Sequence, residues 1–161
     1  MKIKKILLSF VVAICLIVPA MLMLSACGTK KSVVGSWETY QMIVRAEEES
    51  GQETIVNPGE EFEEVVLSKD TFELSLKDDM SLNFAMTMGS MTIKSNSTYT
   101  NNDGVYFAEL TLQLGGDEET IYLQFTYDKD NDRISCDMQQ KDVGTGEYIT
   151  AYTVIFARAN G

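Results

Sequence analysis

From Val33 onward the apolar residues of this chain recur at every second position, and short polar turns separate the runs. Side chains alternate between the two faces of a β-strand, whereas a helix needs a period near 3.6. "SLNFAMTM" sets Leu82, Phe84, Met86 and Met88 on one face and Ser81, Asn83 and Thr87 on the other. "TIYLQFTY" alternates Ile121, Leu123, Phe125 and Tyr127 against Tyr122, Gln124 and Thr126. "VYFAELTLQL" aligns Tyr106, Ala108, Leu110, Leu112 and Leu114, and "DTFELSL" aligns Phe72, Leu74 and Leu76. No segment after residue 32 sustains a helical stripe.

The separators have turn chemistry: Lys77-Asp78-Asp79, Gly89-Ser90, Asn101 to Gly104, Gly115-Gly116-Asp117, and Asp128 to Asp132. Short turns join antiparallel neighbours, and a long meander hides its edges by closing into a barrel. The runs number eight or nine: 33–45, 61–67, 70–77, 80–88, 91–100, 104–114, 119–128, 132–140 and 147–158. The second and third count as one bent strand if Ser68-Lys69 does not interrupt them. Residues 46–60, "AEEESGQETIVNPGE", are expected to form a long acidic loop over one barrel end. The expected fold class is all-β, an antiparallel up-and-down barrel preceded by an N-terminal signal-peptide helix.

The N-terminus reads differently. Lys2, Lys4 and Lys5 precede an uncharged stretch from Ile6 to Leu24, and Leu24-Ser25-Ala26-Cys27 closes it with two small residues before a cysteine. A basic start, an apolar run and a small-residue end make a secretory signal. The four closing residues resemble the lipobox of bacterial lipoproteins. That resemblance implies a diacylglycerol on the Cys27 thiol and cleavage just before it. The implied organisation is a signal peptide over 1–26, a lipidated N-terminus and tether over 27–32, and a barrel domain over 33–161. The implied location is extracytoplasmic, with the chain held to the bacterial cell membrane by lipid, for which two acyl chains suffice.

The mature chain, 27–161, has 135 residues, enough for one domain with a real core. Loss of the three leader lysines leaves ten basic residues against 24 acidic ones, so the net charge moves from −11 to −14. Such a surface repels phosphate backbones and anionic headgroups, which excludes nucleic acid as a partner. Cys15 leaves with the leader and Cys27 is lipidated, so Cys136 has no intramolecular partner. Its alternation with Ile134 and Met138 places it in the core as a small apolar residue.

Gly35-Ser36-Trp37 opens the first run, and Arg158 stands near the end of the last. Together with the long first loop and the meander, these residues resemble the lipocalin-like barrels of the calycin group, which begin with Gly-x-Trp. The family's Thr-Asp-Tyr type turn has no counterpart here. The resemblance implies that Gly35, Trp37 and Arg158 close one barrel end, with the arginine lying across the indole. An up-and-down barrel brings the end of its last strand beside the start of its first only when the strand count is even.

Catalytic chemistry finds little support. The chain has no histidine, hence no Ser-His-Asp triad and none of the commonest zinc ligand. Its carboxylates fall in loop-like runs, unlike a glycosidase pair held across a sugar. "DKDND" spaces Asp128, Asp130 and Asp132 like the start of a calcium loop. However, Arg133 occupies the glycine position and Gln139 the bidentate glutamate position. No enzyme activity, cofactor or metal is expected. A monomer is expected, binding an apolar or amphipathic small ligand among Phe72, Leu74, Leu82, Phe84, Met86, Leu110, Leu112, Leu123 and Phe125. The same residues would equally make a filled core. The alternative is then an interaction module that meets a protein partner through its acidic loops or a sheet face.

Overall fold

The computed structural model describes residues 31–45, 53–114 and 116–159. The leader and Cys27 lie outside the described residues, as do 46–52 of the acidic loop. Among the described residues there is no helix, and the strands run in the order β1 (Gly35–Arg45), β2 (Glu53–Val56), β3 (Glu61–Phe62), β4 (Val65–Val66), β5 (Phe72–Leu76), β6 (Ser81–Met88), β7 (Met91–Asn102), β8 (Val105–Leu114), β9 (Asp117–Asp128), β10 (Arg133–Lys141) and β11 (Tyr148–Arg158).

Eight of these strands make a closed antiparallel barrel. From β5 to β11 each strand pairs with its successor, and β1 joins β5 on one side and β11 on the other. Trp37 pairs with Arg158 and Val44 with Tyr152 in the β1–β11 seam, with an irregularity between Thr39 and Gln41. The inward faces are those of the period-two pattern. Leu82, Leu110, Phe125, Ile134 and Val154 have no exposed surface at all. Eight strands enclose a space that side chains can fill.

The even count has a different origin from a merger of runs 61–67 and 70–77. Run 61–67 is no barrel strand. It folds as the β3–β4 hairpin, with Glu61 opposite Val66 and Phe62 opposite Val65. Its turn residues, Glu63 and Glu64, have left-handed φ angles of 50° and 67°. The stretch 46–60 is likewise more than a loop, because β2 pairs with the far half of β1 from Met42↔Val56 to Arg45↔Glu53. The near half of β1 pairs with β5 instead, from Gly35↔Leu76 to Glu38↔Glu73.

Thr39 marks the change of neighbour. Its hydroxyl donates to the Phe72 carbonyl at 2.9 Å and accepts from the Phe72 amide at 2.8 Å, replacing a lost ladder rung. The chain between β2 and β5 is thereby freed to cross the barrel rim, where Thr39 N–H bonds Lys69 O at 2.9 Å.

Candidate functional site

Two ends of the barrel carry distinct chemistry. At the first, Trp37 is 1 % exposed and its indole N–H donates to the Val33 carbonyl at 2.9 Å. The Arg158 guanidinium lies over the ring, its Cζ 4.2 Å from the centroid. Asp132 holds that guanidinium from the side, accepting from Nε and Nη2 at 2.9 Å each. The two remaining contacts run to the chain entering the barrel: Nη1 to Val34 O at 3.1 Å and Nη2 to Ser32 O at 2.7 Å. Tyr127 completes the group, packing edge-on to Trp37 with centroids 5.7 Å apart and donating to Asp132 at 2.8 Å. The Asp132 hydrogen bonds raise the Arg158 pKa above its ordinary value. Burial first, and then the Asp132 hydrogen bond, raise that of the Tyr127 phenol.

Gly35 is part of the same group. It has φ +147°, and a Cβ built there would collide with Arg158 Nη1. The arginine therefore passes over a bare backbone. Bidentate carboxylate pairing and carbonyl bonds leave this guanidinium little freedom, so the group ties the first and last strands together as a brace.

Neither Asp132 nor Tyr127 is assigned to the barrel-closing group from the sequence. Tyr127 was visible as the last inward position of β9. Asp132 was hidden in the "DKDND" turn, whose residues divide between two tasks. Asp128 accepts from the amides of Asp130 and Asn131 at 2.9 and 3.2 Å, while Asp132 serves the brace. Among the described residues no cluster of three metal-ligating side chains occurs.

At the opposite end an apolar cleft of about 260 Å³ opens between the barrel rim and the β3–β4 hairpin. Phe62, Glu63 and Val65 border it from the hairpin, with Leu67 and Thr71 just beyond. Met86 and Met88 enter from β6, Phe72 from β5, Met42 from β1 and Tyr152 from β11. The Phe62 and Tyr152 rings meet edge to face with centroids 6.3 Å apart. Burial, and after it the Glu63 charge, raise the Tyr152 pKa.

Of the nine residues read as a pocket lining, Phe72 and Met86 border this cleft. Leu74, Leu82, Phe84, Leu110, Leu112, Leu123 and Phe125 are each at most 2 % exposed and belong to the apolar core of the described residues. The hairpin residues escape notice as a site because run 61–67 reads from the sequence as one barrel strand. The signal was there in Phe62, Val65 and Leu67, three large apolar residues inside a charged run. Cys136 sits in the core at 1 % exposure, and burial pushes its thiol pKa far above the ordinary range, which makes it inert as a nucleophile.

No protein-family model matches the chain, and no curated protein matches it in sequence.

Proposed function

We propose that this chain is an extracytoplasmic lipoprotein anchored to the bacterial cell membrane through Cys27, with a lipocalin-like barrel that binds a small apolar or amphipathic ligand. The observation that carries the ligand reading is the apolar cleft beside the β3–β4 hairpin. Ligand sites are concave, mostly apolar and supplied with a few polar groups, and this cleft has that make-up with Glu63, Thr71 and Tyr152. Three methionines in its wall suit a ligand of variable shape, because the thioether chain is unbranched and adaptable. The anchor reading is supported by Leu24-Ser25-Ala26-Cys27 at the end of a basic-then-apolar leader.

The anchor is tested on the membrane-derived protein. Mass spectrometry of the N-terminal peptide is expected to find an acylated Cys27, and Cys27→Ser is expected to leave the protein unprocessed or released. An intact Met1, or a free Cys27 thiol, would refute it.

The ligand reading is tested on residues 27–161 carrying Cys27→Ser. All the strands and the Arg158 brace lie within Ser32–Ala159, so this chain retains every contact described above. Calorimetry with octanol, a neutral probe, is expected to show saturable binding. Met88→Trp, at the end of β6, fills the cleft and is expected to weaken that binding by about tenfold or more, the equivalent of about 1.4 kcal/mol. Equal binding by both proteins, or none by either, favours the second reading. In that reading the packed interior makes the barrel a scaffold whose surface meets a protein partner, and the burial of Leu82, Leu110 and Phe125 is the observation in its favour.

A further inference from the structure

The charge at the cleft is one-sided. Glu63 is the one acid that borders it, and no lysine or arginine does. Among the described residues no ion pair reaches Glu63; Arg45 and Lys141 line the adjoining cleft that Glu63 also borders, and Arg45 pairs with Glu53 at 3.2 Å. Its backbone placement is also unusual. A two-residue hairpin turn with both φ angles positive suits Asn-Gly. Here Glu63 and Glu64 occupy it, in a conformation that L side chains rarely adopt. Strain of this kind persists where the surrounding structure holds it, and clusters at ligand sites. The two residues differ in what they reach: Glu63 borders the cleft, and Glu64 does not. The rings of Phe62 and Tyr152, packed edge to face, border the same cleft, and an aromatic ring within about 6 Å of a cation attracts it.

From this juxtaposition we infer that the cleft selects amphipaths with a cationic head, placing a short apolar chain against Met42, Met86 and Met88 and an ammonium group at Glu63. The inference rests on the ligand reading of the cleft given above and adds the head-group chemistry. The volume of about 260 Å³ limits the chain. Drug-sized ligands occupy pockets of roughly 300–1,000 Å³, so a single short alkyl chain fits and a diacyl lipid does not. The overall acidity acts in the same direction: a chain carrying 24 acidic residues attracts cations to its surface and repels carboxylates and sulfates.

The test uses residues 27–161 with Cys27→Ser and three probes of one chain length: octyltrimethylammonium, octanol and octanoate, each kept monomeric. Calorimetry is expected to rank them in that order, with the cation about five- to tenfold tighter than octanol, the worth of one partly exposed charge pair against apolar walls. Glu63→Gln is expected to bring the cation to the octanol value. Glu64→Gln removes the same charge one residue away and is expected to leave the ratio within about twofold. If all three probes bind alike, the head-group inference fails while the ligand reading stands. If the two variants weaken the cation equally, the preference belongs to the acidic surface at large and the inference fails. If no probe binds, both the inference and the ligand reading fall.

Discussion

Trp37→Ala is expected to be among the most destabilising single substitutions in the barrel, at about 3–5 kcal/mol, the usual cost of emptying a buried aromatic site. Trp37 is fully enclosed, so its removal leaves a cavity that the rigid β1–β11 seam cannot close. It also takes away the donor to Val33 O, the plate under Arg158 and the edge contact with Tyr127. Arg158→Ala should cost less, about 1–2 kcal/mol, because the guanidinium is a third exposed and water can replace part of its bonding. The two losses should not add, since the residues touch. Urea unfolding followed by circular dichroism gives both values and their sum. Trp37 is the only tryptophan, so its emission reports this site alone. It should be blue-shifted in the folded protein and move to longer wavelength in Arg158→Ala. An exposed emission maximum, or costs that simply sum, would show that the brace does not work as described.

How much of this was readable beforehand differs between the staves and the rim. The barrel strands were legible because period-two alternation persists over eight to twelve residues in β6 to β11, and each turn between them has only a few residues to arrange. Their ends agree with the sequence runs to within two residues. The segment from Glu53 to Leu67 was not legible, for two reasons. β2 takes its partners from the half of β1 that β5 leaves unpaired, and a short strand made by a vacancy in another strand has no pattern of its own. β3 and β4 contribute two residues each, too few to show any period. The same limit applies to the candidate site. Counting inward residues identified the core, but it could not separate a core from a pocket. That distinction depends on the hairpin, whose Phe62 and Val65 stand over the rim where β1 and β5 part. Asp132 shows the complementary limit. A carboxylate in a polar turn looks solvated until Arg158, 26 residues away, is seen to be its partner.

Gly35→Ala is expected to cost about 2–3 kcal/mol, out of proportion to one added methyl group on a half-buried strand end. Two causes act together. The backbone at φ +147° is strained for any residue with a Cβ, and that Cβ would occupy the position of Arg158 Nη1. The guanidinium must then move, and it cannot do so without giving up Val34 O or the bidentate grip on Asp132. The causes separate in a double-mutant cycle. In the Arg158→Ala background the collision disappears and only the backbone strain remains, so the glycine substitution should cost about 1 kcal/mol less there than in the native chain. The double variant should therefore be more stable than the two single losses predict. If Gly35→Ala costs the same in both backgrounds, the arginine does not depend on the bare backbone, and the glycine is required only for its dihedral angles. The cycle thus decides what the first residue of Gly35-Ser36-Trp37 is for. On the geometry described, the glycine makes room for the guanidinium, the tryptophan gives it a surface to lie on, and Asp132 fixes it there, so the three positions act as one unit with Arg158.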